Sequence, residues 1–401
     1  MSQISETKPV LATSWQTDAL DTGAIHDELT RLWVEVGGPR HGGNAPGEMV
    51  ADSHLGGGEL MRANTLNLIA VADNRQHADL ITDTISHLRD FLPSRTIIFV
   101  TERDEQREYA WDVHVQLNEG YREADQPAFR FETITINADP KVSGHLASLV
   151  APLLVSELPT FLWWPSGDFA NSPIFQDLVE IVDRLIVDSA QLGNEATAVA
   201  QMRSLLDDED DPWMGDFTWL RLAPWRQLIA QFFDPPNVQP CLGTISQITI
   251  AYAQTRRDQS SGFAAALLTV GWLASRLGWE IIEPLEQRRA GGWTAPLQAK
   301  DGGRRRDIQL RLVPDQSREA RFSLRSVEII AIGEAEGTFR IERTDMDDLI
   351  TSSETANAPL VSRMVYARRP ENVEMVGEEL QRFGPDRIFE DAIRFATRLL
   401  P

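Results

Sequence analysis

The chain has 401 residues, of which 42% are hydrophobic and 24% charged, so each of two domains could bury a core of its own. Acidic side chains outnumber basic ones by 60 to 38, and the formal net charge of −22 disfavours non-specific binding to nucleic acid or to an anionic membrane. The one cysteine, Cys241, excludes an internal disulfide. With no signal-peptide pattern at the start and no long apolar stretch, we expect a cytoplasmic protein.

Strand and helix patterns alternate in the first half of the chain. Residues 1–22 are polar and predict a flexible arm, an amphipathic helix is predicted over 23–36, and the glycine-rich segment 40–60 predicts a loop. Strands are predicted at 66–72, 96–101, 111–117, 129–137, 160–164 and 184–189, and helices at 76–91, 141–155, 172–182 and 194–206. Such alternation indicates an open α/β sheet with helices on its faces.

The segment DPPNVQPCLG, residues 234–243, is the clearest break in the chain, and we place a domain boundary between residues 236 and 237. A helix rich in tryptophan is predicted before it, over 219–233. Beyond it, strands are predicted at 245–253, 279–282, 307–313, 322–332, 337–343 and 361–367, and helices at 262–277, 371–383 and 386–400. The predicted fold is therefore α/β, with an N-terminal α/β domain over 23–236 and a C-terminal α+β domain, mainly antiparallel, over 237–401.

Motifs of catalysis or cofactor binding are missing from the sequence. The seven histidines form no HxxxH or HExxH pair, and no GxSxG, GxGxxG or Gly-Lys-Ser/Thr phosphate loop occurs. Cys241 lies in the proline-rich segment with no evident base beside it. The sequence thus predicts a protein that is not an enzyme and that holds no cofactor and no metal.

Tryptophan and arginine residues cluster before the predicted boundary. Trp163 and Trp164 are adjacent on a strand and must point to opposite faces, and the helix 219–233 carries Arg221, Trp225 and Arg226 close together. This mixture is typical of protein interfaces. The alternative is that the aromatic side chains belong to the core and that the arginines pair with nearby acids such as Asp216.

A second functional hypothesis concerns the end of the strand RLIVDS. Asp188 follows this strand, where open α/β sheets bind ligands, and Arg184, Arg221 or Arg226 could bind the phosphate of a sugar phosphate there. The protein would then be a sensor or an enzyme for that ligand. The simpler interpretation, which we favour, is that Asp188 caps the following turn.

Four stretches taken together resemble the OpcA family of glucose-6-phosphate dehydrogenase assembly proteins. They are LPTFLWWPSGD (158–168), DRLIVDS (183–189), TWLRLAPWRQLIAQFFD (218–234) and AALLTVGWLASRLGW (265–279). The resemblance implies a non-enzymatic protein that binds glucose-6-phosphate dehydrogenase and promotes its assembly and activity. We predict that the partner-binding residues are Trp163, Trp164, Arg184, Asp188, Arg221, Trp225 and Arg226.

Overall fold

A computed structural model of the chain divides by its internal contacts into two compact units. The first comprises residues 1–164 and 171–185, and the second 165–170 and 186–401. The structure describes residues 13–17, 21–37, 64–88, 92–101, 111–119, 130–138, 146–166, 169, 172–191, 199, 201–203, 205–206, 211–254, 262–289, 291–301, 304–315, 323–344, 346, 348–356 and 358–401. The predicted α/β fold class is confirmed, with one mostly parallel and one mostly antiparallel sheet.

The first unit is built on the mostly parallel sheet. Its elements are β1 (Thr13–Thr17), α1 (Thr22–Gly37), β2 (Leu66–Ala72), α2 (Arg75–Leu88), β3 (Ser94–Val100), β4 (Trp111–Glu119), β5 (Arg130–Ala138), α3 (Leu146–Val150), β6 (Thr160–Trp164), α4 (Pro173–Val179) and the start of β7 (Arg184–Val187). Within this unit the strand order is β1-β4-β5-β3-β2-β6-β7. β2 and β6 are buried at every position, which explains why all their residues except Asn67 and Thr160 are apolar.

One prediction in this unit differs from the structure, and several predicted segments lie wholly or partly outside the described residues. β1 lies in the segment predicted to be a flexible arm, where it pairs antiparallel with β4, Trp15 opposite Val115. Polar alternation over five residues is too short a signal to separate an edge strand from a loop. Residues 40–60, 89–91 and 141–145 lie outside the described residues, and so does most of the helix predicted over 194–206, which falls in the second unit.

The second unit is built on a mostly antiparallel sheet. Its elements after β7 are β8 (Trp213–Asp216), α5 (Phe217–Arg221), α6 (Ala223–Phe232), β9 (Ile245–Ala253), α7 (Phe263–Leu277), β10 (Trp279–Ile281), β11 (Glu286–Gln287), β12 (Trp293–Asp301), β13 (Arg304–Asp315), β14 (Leu324–Ala331), β15 (Gly337–Arg343), β16 (Leu349–Thr355), β17 (Ala358–Val365), α8 (Asn372–Leu380) and α9 (Arg387–Leu399). The order is β10-β12-β13-β9-β14-β15-β16-β17, with β11 beside β12.

Several elements of this unit were not predicted. The sequence analysis did not predict β8, β11, β12 and β16. Two of these strands lack a clear strand pattern, since β12 contains Pro296 and β16 reads LITSSET, which is largely polar. The helix predicted over 219–233 is two helices, α5 and α6. Pro224 lies in the first turn of α6, where a backbone N–H would have no partner within the helix, so the proline costs no hydrogen bond.

Helix α7 is apolar around most of its surface because it packs against β9 on one side and α9 on the other. The contact with α9 is so close that a Cβ added to Gly271 would lie 2.1 Å from the carbonyl oxygen of Ala392. Glycine is therefore required at this crossing. Among the described residues, no helix combines the length and the apolar character needed to cross a membrane.

The contact-based division of the chain differs from the predicted boundary at residue 236. Helix α6 packs on β15, with the rings of Phe232 and Phe233 centred 5.5 and 4.8 Å from that of Phe339. Residues 186–236 therefore belong to the second unit, and the proline-rich segment lies inside it. Cys241 is buried there, and this burial raises the pKa of its thiol.

Candidate functional site

A buried ionic cluster lies where β7 and β8 end in the second unit. The guanidinium of Arg221, at the end of α5, donates to both carboxylate oxygens of Asp188 over 2.7 and 2.8 Å. Asp188 also accepts the backbone N–H of Ala190 at 3.2 Å, as expected of a residue that caps a turn. Burial, the largest influence, would lower the pKa of Arg221, but the charge and hydrogen bonds of Asp188 and the charge of Asp216 together outweigh it, so the pKa lies above its ordinary value. This pair is a fixed, bidentate ion pair.

Asp216 is the second carboxyl group of the cluster and is fully buried. It caps the N-terminus of α5 by accepting the N–H of Thr218 at 3.0 Å, and it accepts the N–H and the hydroxyl of Ser189 at 2.9 and 2.8 Å. Burial, and next the charge of Asp188, raise the pKa of Asp216 from 3.8 to about 7. Asp216 therefore changes charge near neutral pH.

A cavity of about 270 Å³ lies beside this cluster, entirely within the second unit. Among the residues that the structure describes, its lining includes four arginines and no aspartate or glutamate. The arginines are Arg221, Arg343, Arg368 and Arg369. Its apolar wall includes Trp225. Guanidinium groups bind carboxylate and phosphate oxygens, so the cavity is suited to an anionic group. Among the described residues, no three histidine, cysteine, aspartate or glutamate side chains are grouped as a metal site would require.

The structure places the sequence-predicted residues in different environments. Trp163, Trp164, Arg184 and Trp225 are 0–3% exposed, so none of these side chains is presented at the surface. The indole of Trp164 packs edge-on against Phe175 with ring centroids 5.2 Å apart. The interpretation of these tryptophans as core residues is thus the one that their burial favours, and partner contact through them stays a prediction.

Arg226 has a packing role within the second unit. Its guanidinium carbon lies 3.4 Å from the centre of the Trp219 ring, and Nη1 donates to the Trp219 carbonyl oxygen over 2.8 Å. Burial lowers the pKa of Arg226 to about 10. The indole of Trp219 in turn donates to Asp386 at 3.0 Å. The arrangement is a cation–π contact that ties α6 to α5.

Of the three arginines proposed from the sequence as phosphate ligands, the structure brings only Arg221 to the cavity. The sequence analysis missed the other three. Arg368 and Arg369 follow β17 as an adjacent pair, and Arg343 ends β15. The paired arginines before a proline were a visible signal, but their distance of about 150 residues from Arg221 along the chain hid their common location.

We expect Arg226→Ala to lower the melting temperature, with a loss of about 1–2 kcal/mol, because it removes both the stacking on Trp219 and a hydrogen bond. Gln227→Ala, an exposed position of the same helix, is the control and should change stability little. Thermal unfolding by circular dichroism measures both. Unchanged stability together with a lost response of the partner enzyme would instead show that Arg226 is a binding contact.

Two family models match the sequence in succession along the chain. The first, described as the N-terminal domain of a glucose-6-phosphate dehydrogenase subunit, matches residues 86–204. The second, described as the C-terminal domain of that subunit, matches residues 212–393. The chain belongs to the OpcA family. The gap between the two matched regions lies between residues 204 and 212, which is closer to the division of the structure than to the boundary predicted at residue 236.

OpcA proteins of cyanobacteria are among its relatives. An OxPP cycle protein OpcA of Synechocystis is 33% identical over 148 residues, which are 37% of this chain and 30% of the relative. The corresponding protein of Nostoc punctiforme is 25% identical over 281 residues, 65% of this chain and 56% of the relative. The chain thus matches about half or less of the length of these OpcA relatives.

Solved structures offer only a distant likeness. A super-repressor mutant of Gal80p from Saccharomyces cerevisiae aligns over 84% of this chain and 95% of its own, with 10% identity and a TM-score of 0.44. Levoglucosan dehydrogenase aligns with 11% identity, over 84% and 96% of the two chains, and a TM-score of 0.42. Neither likeness bears on what this OpcA family member does.

Proposed function

We propose that this OpcA family member is a non-enzymatic assembly factor that binds glucose-6-phosphate dehydrogenase and activates it allosterically in the oxidative pentose phosphate pathway. The single observation that carries this proposal is the ordered match of both domains to models named for a subunit of that dehydrogenase. The names of the cyanobacterial relatives, which place them in the OxPP cycle, support it. The lack of a catalytic motif in the sequence is consistent with a regulatory role.

The decisive experiment titrates the protein into glucose-6-phosphate dehydrogenase of the same organism and measures initial rates and sedimentation. We expect a rise in rate that saturates as the complex forms, while the protein alone converts no glucose 6-phosphate. A larger sedimenting species that appears with the rise would indicate assembly, and an unchanged dehydrogenase oligomer would indicate allosteric activation. If neither rate nor sedimentation responds at saturating protein, the proposal is wrong.

The surface that we expect to meet the dehydrogenase is β17. This strand is the last in the order of its sheet, so its outer edge offers backbone hydrogen-bonding groups to another chain. Its large apolar side chains are unusually exposed, Leu360 by 63% and Met364 by 67%, and Tyr366 just beyond it by 78%. Exposed apolar side chains grouped on an edge strand are typical of a protein-binding surface.

Met364→Asp should weaken the association about 30-fold, because it would bury an unpaired charge in the apolar part of the contact. The matched control is Thr338→Asp on β15, an exposed position of the same sheet that receives the same charge. Binding to the immobilised dehydrogenase measures both affinities. Equal weakening by the two variants would show a general effect of charge, and no weakening by Met364→Asp would place the contact elsewhere.

One observation favours the second hypothesis from the sequence, a sensor of sugar phosphates. It is the arginine-lined cavity, which lies beside Asp188 as that hypothesis required, although Arg184 and Arg226 do not line it.

A further inference from the structure

We propose that the cavity bounded by Arg221, Arg343, Arg368 and Arg369 is a binding site for a small hydroxylated phosphate ester. This proposal does not rest on the binding of a dehydrogenase. It concerns a ligand that this chain takes up by itself, in its second unit.

The charge of the cavity lining is opposite to that of the chain. Acidic residues outnumber basic ones by 60 to 38 overall, yet the described residues that line this cavity include four arginines and no carboxylate residue. An acidic protein repels anions over most of its surface, so a local group of arginines is where an anion would be attracted. Arginine is also the residue whose planar donors match two phosphate oxygens at once.

Two of these arginines are held in place by carboxylates that lie outside the lining. Asp188 holds Arg221 through two hydrogen bonds of 2.7 and 2.8 Å. Glu374, in the first turn of α8, pairs with Arg368 and also accepts the backbone N–H of Glu371 at 2.8 Å. Donors fixed in this way lose little conformational entropy when they bind an anion. The arrangement is that of a pre-formed site.

A third arginine lies deeper. Arg343 is 8% exposed, and its guanidinium carbon lies 5.6 Å from the centre of the Trp225 ring, which forms the apolar wall. A dianionic phosphate in the cavity would accept hydrogen bonds from this guanidinium, and Pro224 and Pro370, which also line the cavity, offer apolar contact to the carbon frame of a ligand.

The rest of the lining indicates what the phosphate is attached to. Gln191, Thr218 and Ser323 contribute an amide and two hydroxyl groups. The Ser323 hydroxyl oxygen is buried and has no hydrogen-bond partner among the described residues. Such groups suit the hydroxyl groups of a ligand. A volume of about 270 Å³ is at the lower end for ligand cavities, which favours a compact ester such as a sugar phosphate over a dinucleotide.

The test is ligand-induced thermal stabilisation of the whole chain, with glucose 6-phosphate, glucose and inorganic phosphate as probes. We expect glucose 6-phosphate to raise the melting temperature of the wild type by about 5 °C near saturation, inorganic phosphate to raise it less, and glucose to leave it unchanged. If inorganic phosphate raised the melting temperature as much as glucose 6-phosphate does, the proposal that the ligand is a hydroxylated ester would be wrong.

Variants connect the effect to the cavity. Arg368→Gln changes a side chain that is 51% exposed and should fold, yet should weaken glucose 6-phosphate binding about tenfold by calorimetry. Arg343→Lys keeps the charge and loses the planar fork, and it should have a similar effect. The control is Arg363→Gln on β17, which makes the same charge change outside the lining and should bind as the wild type does. Absence of stabilisation by any phosphorylated probe, or equal binding by Arg368→Gln and Arg363→Gln, would refute the site.

Discussion

Replacing Glu132 with leucine should lower the free energy of unfolding by about 3–5 kcal/mol, because it leaves the buried charge of Arg95 without its counter-ion. Arg95 and Glu132 are 2% and 0% exposed, and the Arg95 Nε donates to Glu132 Oε2. Arg95 Nη1 also donates to the carbonyl oxygen of Leu153 at 2.6 Å, and the Trp33 indole donates to Glu132 Oε1 at 2.6 Å. The pair thus connects β3 and β5 to α1 within the first unit.

The double variant Arg95→Met, Glu132→Leu distinguishes the cost of a buried, unpaired charge from the net contribution of the ion pair to the free energy of unfolding. It should recover much of the loss, although the Trp33 N–H still lacks the Glu132 acceptor. Glu280→Leu is the surface control, since Glu280 is 51% exposed in its pair with Lys300 at 2.5 Å and should cost less than about 1 kcal/mol. Urea denaturation gives these values, and hydrogen exchange of β3 and β5 amides locates the loss. A double variant no more stable than Glu132→Leu would contradict the argument.

The stability of the second unit should fall as the pH rises from about 4 to 7, and Asp216→Asn should remove this part of the pH dependence. The folded state holds the Asp216 proton up to a pKa of about 7, whereas the unfolded carboxyl releases it near 3.8. Between these values the folded state binds the extra proton, so its advantage is complete below pH 3.8 and is lost as the pH rises through 7. The loss amounts to at most about 4 kcal/mol.

The asparagine variant keeps the shape of the cap. Its side-chain oxygen can still accept the N–H groups of Ser189 and Thr218, and it carries no charge at any pH. The difference between the two proteins should therefore be smallest near pH 4, grow as the pH rises to about 7, and favour Asp216→Asn at higher pH. The control is Asp386→Asn at the N-terminus of α9. It leaves Asp216 unchanged, so its stability should still fall with pH through the titration of Asp216. Parallel pH profiles of wild type and Asp216→Asn in thermal unfolding would show that Asp216 is ionised throughout.

The pattern of apolar residues in the sequence was sufficient to predict the strands that are buried on one face or on both. β2, β6, β9 and β15 have the predicted bounds, because a mainly apolar run or an alternating pattern indicates a strand whatever its neighbours are. The four stretches that resemble the OpcA family also lie in the sequence alone, and the family models confirm that membership. Local pattern thus determined the fold class, most elements and the family.

The cavity could not be predicted, because its arginines come from three separate parts of the chain. Arg221 ends α5, Arg343 ends β15, and Arg368 and Arg369 follow β17, and no spacing rule connects them. The burial of Trp225 and the stacking of Arg226 on Trp219 are likewise results of tertiary packing, since the same mixture of tryptophan and arginine occurs at interfaces and in cores. Sequence by itself determined which residue types were present and which local elements they form. Only the tertiary structure decided which charges share one cavity and which aromatic rings are withdrawn from solvent, because both depend on contacts between residues far apart in the chain.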